Sequence, residues 1–194
     1  MLTADEVLTF WLGPEASRDE PGEATRKQWW KKDPDFDREI AETFGSAIEL
    51  AGVGDLDGWA ETPQGRLAIV ILLDQFTRNV FRDQPKMYQH DRKAVSHALS
   101  GIDGGEAPAL RLSERYFLYM PLMHAEDLEL QDRCVELFRE LSGQAEWCSG
   151  ALGYAEAHRD IVAEFGRFPH RNRLLDRTST GAEIRFLKQP GSSF

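Results

Sequence analysis

Thr62–Asn79 reads TPQGRLAIVILLDQFTRN, and this stretch decides the fold. Thr62-Pro63 is a helix start: a side-chain N-cap is followed by a ring that fixes φ where the missing N–H is not needed. Leu67–Leu73 is then apolar on every face of a helix, and a helix without a polar face must be enclosed by others. The segment therefore predicts the spine of a helical core. At seven residues the run falls well short of the about 20 that span a bilayer.

Helical spacing continues on both sides of the spine, with almost no strand-like alternation. Upstream, Thr3 and Glu6 form a capping box before Val7, Leu8, Phe10 and Trp11, and Gly13-Pro14 ends that helix. Glu15–Thr25 reads as a surface loop whose far end is anchored by Trp29 and Trp30. Asp33-Pro34 opens a helix with Phe36, Ile40, Phe44, Ala47, Ile48 and Ala51 on one face, stopped by Gly52 and Gly54.

Downstream, a helix is predicted from Gln84-Pro85 to Gly101, and another from about Ser113 that breaks at Pro121. Leu130–Leu141 and Tyr154–Phe165 follow, closed by Gly143 and Pro169, and Thr180 with Glu183 caps a last helix before the tail Lys188–Phe194. Seven or eight helices with short connections imply a single all-α domain over 1–194, built of antiparallel helix pairs in a compact bundle or superhelix. The starts near 63, 113 and 151 define no repeat period.

The charge balance narrows the function classes. Twenty-three Lys and Arg against 33 Asp and Glu leave −10, a field that repels phosphate backbones and argues against nucleic acid. Asp5 and Glu6 stand where a signal peptide carries basic residues, and Cys134 and Cys148 have no metal-pair spacing, so a cytoplasmic protein with two reduced thiols is expected.

Three blocks carry possible chemistry. In the first, Asp74, Arg78 and Asn79 continue directly from the apolar spine; Asp74 and Arg78 share a face and would place charge in a low dielectric, as a packing ion pair or as part of a site. The second is Met120–Asp127, in which His124, Glu126 and Asp127 follow a proline. The helix dipole accounts for the two carboxylates there but not for an imidazole that titrates near neutrality.

The third, Phe165–Arg177, contains Arg167, His170, Arg171 and Asn172 and has a local balance of +3. It either offsets a helix dipole and pairs with the turn at Glu126–Asp132, or forms an anion site. His158 lies one helix upstream on an apolar face. No H-E-x-x-H spacing, phosphate loop or nucleophile elbow occurs, so neither a metal nor a cofactor is expected.

Together VLTFWL (Val7–Leu12), LDQFTRNVF (Leu73–Phe81), YMPLMHAED (Tyr119–Asp127), HRDIVAEFGRFPHRN (His158–Asn172), Ser179-Thr180 and PGSSF (Pro190–Phe194) make the chain resemble the bacterial family known as domain of unknown function 924. The resemblance implies an all-α fold similar to tetratricopeptide-repeat superhelices and no established activity. On the residues alone, the leading expectation is a binding module for a small anionic ligand or a partner's carboxylate. The alternatives are a hydrolase-like acid–base enzyme using His124 or His170 with Glu126 or Asp74, with or without help from a metal, and a network that only fixes helix packing.

Overall fold

A computed structural model describes residues 2–192 and is all-helical over them. Nine helices are present among the described residues, eight of them seven residues or longer. In chain order they are α1 (Ala4–Leu12), α2 (Glu23–Trp30), α3 (Pro34–Val53), α4 (Pro63–Val70), α5 (Asp91–Asp103), α6 (Leu112–His124), α7 (Leu128–Ser142), α8 (Ala151–Phe165) and α9 (Gly181–Phe186). Ser193 and Phe194, the end of the PGSSF block, lie outside the described residues.

α4 is the spine. It runs on without a break through a π-helical segment, Ile71–Phe76, into Thr77–Val80. Every residue from Leu67 to Leu73 is fully buried, and α1, α3, α5 and α6 pack around it. Aromatic rings bind these layers: Phe44 lies 4.9 Å from Phe76, Trp11 5.6 Å from Phe117 and Trp29 4.8 Å from Phe117. The widened π turn frees backbone carbonyls that side chains then take up. Thr77 Oγ1 donates to Leu73 O at 2.8 Å and Arg78 Nη1 to Asp74 O at 2.8 Å.

The expected caps form. Thr3 and Thr180 make capping boxes, and Asp33 and Thr62 accept from the first-turn amides of α3 and α4. Four local expectations differ. Glu15–Thr25 lies on the surface as expected, with only Arg18 and Pro21 buried, but it is not all loop: this strap holds a single 3-10 turn and the start of α2. Its Arg18 is 2% exposed and donates to Glu114 Oε1 at 2.9 Å, because a buried guanidinium needs a carboxylate and acceptors for its other N–H groups.

Gly52 does not stop α3. Gly54 does, at φ 99°, while Gly52 lets the helix approach His90, whose ring carbon would lie 2.4 Å from an added Cβ. Pro85–Tyr88 is an isolated turn, and α5 begins at Asp91 and passes through Gly101 to Asp103. An added Cβ at Gly101 would lie 2.9 Å from Arg66 Cδ, so that glycine serves close packing, not termination. Pro121 does not break α6 either. It costs one backbone bond near the end of a buried helix, and the Gln131 amide then gathers the terminal carbonyls, 2.8 Å from Met123 O and 2.7 Å from Ala125 O.

Candidate functional site

The charged end of the spine meets the end of α6 and the turn after α8. Asp74, fully buried in the π turn, accepts from His124 Nδ1 at 2.7 Å, from Gln75 Nε2 at 2.6 Å and from Arg78, 3.0 Å away. Burial alone would raise the Asp74 pKa, but Arg78 and His124 outweigh it and hold the carboxyl well below its usual range. With Asp74 ionised, Nδ1 of His124 is the donor, which leaves Nε2 as the ring's acceptor. Burial first and Arg78 second lower the His124 pKa, so the ring is neutral at pH 7.

Arg171 reaches this cluster from the C-terminal turn. It donates to His124 O at 2.9 Å and to Asp91 at 3.3 Å, and its guanidinium lies between the Tyr88 and Phe168 rings at 4.7 and 4.5 Å. Its Nε is buried without a partner. Arg78 shares Asp91, at 3.1 Å. Two guanidinium groups therefore sit on one carboxylate, and burial and Arg78 lower the Arg171 pKa. Burial also pushes His158 down to about 3 and His170 to about 4.

These side chains line a cleft of about 1320 Å³. Arg26, Lys31 and Lys32 enter it from α2 and the residues after it, Arg78 and Arg82 from the end of the spine, and Arg171, Arg173 and Arg177 from the C-terminal turn. Among the described residues only one carboxylate, Asp83, joins these eight cations at the surface of the cleft. The other acids lie behind: Asp37 takes Arg82 at 2.8 Å and Glu126 takes Arg177 at 2.6 Å.

Of the residues singled out in the sequence, the structure places Arg78, Asn79, His124, His158, His170 and Arg171 on the cleft wall and Asp74 directly behind it. The others are employed elsewhere. Asn79 also donates to Asp37 at 2.8 Å, Asp127 is the N-cap of α7, and Asn172 joins Arg177 to Ser179. Arg167 makes a two-point contact with Glu183 at 2.6 and 2.9 Å and does not line the cleft. Glu126 accepts from Arg177 and from the Phe168 amide, and these contacts overcome burial to lower its pKa. Among the described residues no three His, Cys, Asp or Glu side chains are placed to hold a metal ion.

A family model described as "Bacterial protein of unknown function (DUF924)" matches residues 7–191. The chain belongs to that family. A solved structure of a protein of unknown function from Agrobacterium tumefaciens is similar to this DUF924 chain at 37% identity, over 95% of this chain and 96% of that one, with a TM-score of 0.81. No curated protein matches.

Sequence reasoning missed much of the DUF924 cleft. Asp91 and Tyr88 fall inside the helix predicted from Gln84-Pro85 to Gly101 with no role of their own, and of Arg26–Lys32 (RKQWWKK) only Trp29 and Trp30 stand out, as an anchor. The second segment did carry a signal: four cations flanking two Trp in an acidic chain form a stacking surface with charge beside it. Asp91 had none, since its partners Arg78 and Arg171 are 13 and 80 residues away.

Proposed function

We propose that this DUF924 chain is a binding protein whose cleft captures a small anionic ligand or a partner's carboxylate. The observation that carries the reading is the inversion of charge, eight cations and one carboxylate lining a cleft in a chain of net charge −10. A cleft of one sign with low-dielectric walls focuses its field outward and raises the local concentration of counter-ions. Most of the lining cations have carboxylates behind them, but Arg26 and Arg173 form no ion pair among the described residues. Their charge is left for a ligand, and guanidinium forks suit carboxylate or phosphate. Two buried free thiols, Cys134 and Cys148, fit a reducing, cytoplasmic setting.

Isothermal titration with inorganic pyrophosphate and with citrate tests the proposal. Binding that weakens as salt is raised and falls about tenfold or more in the Arg26→Ala/Arg173→Ala double variant is expected, one factor of ten corresponding to about 1.4 kcal/mol. Arg167→Ala, whose guanidinium is turned to Glu183, should bind as the wild type does. No binding by either anion, or a double variant as good as the wild type, overturns the reading.

A second reading, acid–base catalysis on the captured anion, is favoured by the bond between Asp74 and His124 at 2.7 Å. A carboxylate that fixes an imidazole through Nδ1 leaves Nε2 as a base facing bound water or ligand. Both oxygens of Asp74 are engaged, so the ring's orientation is set before any ligand arrives. This reading requires Nε2 of His124 to be unprotonated at neutral pH, which nitrogen NMR measures directly.

A further inference from the structure

The cleft that carries the cations also carries a run of aromatic rings. Trp147 has its ring centroid 6.1 Å from that of Trp29 and 5.8 Å from that of Tyr116, and Tyr116 lies 6.2 Å from Trp30. All four rings line the cavity, together with Tyr154. Two of them stand largely in water, Trp30 at 57% and Tyr154 at 62% exposure. Single exposed apolar side chains are ordinary on a protein surface and carry no message. Two large rings at one cation-lined cleft are different, because they offer flat faces where charge is also available.

Charge and ring face come from the same short segment. Arg26, Trp29, Trp30, Lys31 and Lys32 all line the cleft, and the Nε of Arg26 is buried without a partner. A buried donor left unsatisfied destabilises the fold, and an acceptor on a ligand removes that cost. The size of the cavity also bears on the ligand. At about 1320 Å³ it exceeds the range of roughly 300–1,000 Å³ typical of sites for drug-sized molecules. A bare phosphate or a small dicarboxylate would leave the aromatic wall against water and most of the space unused. A simple apolar tail would cover that wall but would gain nothing from the flatness of the rings. A planar ring joined to phosphate uses both.

We propose that the cleft binds a nucleoside phosphate, with the base stacked on the exposed ring of Trp30, which shares the cleft with Tyr154, and the phosphates held by lining guanidinium groups, Arg173 among them. This inference rests on the anion-binding reading and names the ligand class for the same site. It also fits the overall charge. A mononucleotide brings few negative charges into the −10 field of the whole molecule, whereas a nucleic-acid strand brings one for each nucleotide.

The test compares ADP, inorganic pyrophosphate, adenosine and n-octyl phosphate by titration calorimetry and tryptophan fluorescence, on the wild type and on Trp30→Ala. Trp30 is exposed enough for its replacement to leave the fold intact, and Tyr154→Ala serves as a second variant. ADP should bind about tenfold or more tightly than pyrophosphate and quench tryptophan emission, and adenosine should bind more weakly than ADP. Trp30→Ala should lose about tenfold in ADP affinity and keep its pyrophosphate affinity. The inference is overturned if ADP binds no tighter than pyrophosphate, if n-octyl phosphate matches ADP, or if Trp30→Ala weakens ADP and pyrophosphate alike. Failure of every anion to bind would instead overturn the anion-binding reading itself, so the two failures are distinct.

Discussion

Replacing His158 with Met should flatten the loss of stability on acidification by an amount that can be worked out in advance. His158 is 7% exposed, donates from Nδ1 to Tyr154 O at 2.8 Å and has its pKa pushed down to about 3 by burial. In the unfolded chain the same imidazole titrates near 6.5, at about 1.36 kcal/mol per unit of difference. The folded pKa is the lower one, so the unfolded state takes up a proton first. Above about pH 6.5 the residue adds no pH dependence, and between that value and about 3 each unit of acidification favours unfolding. At pH 5 the cost is about 1.5 units at about 1.36 kcal/mol each, or about 2 kcal/mol.

His158→Met removes that penalty and also removes the hydrogen bond to Tyr154, worth about 1 kcal/mol at any pH. The variant should therefore be less stable than the wild type at pH 8 and more stable at pH 5. Urea unfolding at both pH values measures it through the midpoints, provided the slopes agree. His170, pushed down to about 4 by burial and by Arg171, loses stability over the same range, but it does so in both proteins. Because His158 is uncharged throughout the window, replacing it leaves the field on His170 unchanged. Equal losses in the two proteins, within about 0.5 kcal/mol, would mean that His158 accepts a proton inside the fold. The reasoning about a dry, neutral imidazole in the cleft wall would then be wrong.

The bond from His124 to Asp74 predicts that nitrogen NMR at pH 7 finds the His124 proton on Nδ1 and Nε2 bare, and that the ring stays neutral to a pH below the ordinary histidine range; a proton on Nε2 at pH 7 would remove the base on which the catalytic reading depends. Glu114→Ala should cost about 3–5 kcal/mol by urea unfolding, because it leaves the buried Arg18 with only the exposed Asp5, 3.4 Å away, as counter-charge, and a loss below about 1 kcal/mol would show that Asp5 or water compensates Arg18 in the strap.

The fold was legible where its cause is local. Seven apolar residues in succession, Leu67–Leu73, leave no face for water, and the caps at Thr3, Asp33, Thr62 and Thr180 act within one turn of chain. What was not legible depends on partners far away. Pro121 stays inside α6 because Gln131 is there to receive the last carbonyls, and the strap is ordered because Glu114 lies 96 residues beyond Arg18. The same separation hides the site. Asp74, Arg78, His124 and Arg171 attract notice singly as charges next to apolar sequence. Asp91, which ties Arg78 to Arg171, looks like any acidic residue in the first turn of a helix.

A network that serves only to hold helices together should be neutral and closed. Its inner part is neutral but not fully closed: Arg78 and Arg171 are matched by Asp74 and Asp91, with His124 uncharged, yet Arg171 buries an Nε without an acceptor. Even so, a buried balanced cluster is weak evidence for stability, since apolar side chains of similar volume commonly serve as well or better. The spine on either side of Asp74 shows that this chain readily supplies such residues. The outer part is not closed. Arg26 and Arg173 form no ion pair among the described residues, and Arg26 buries an Nε without an acceptor. A purely structural network would gain by removing these features, whereas an anion entering the cleft supplies the missing charge and gives Trp30 and Tyr154 something to face. The unbalanced outer ring of charge, rather than the conspicuous Asp74–His124 pair, is therefore what makes the cluster a site.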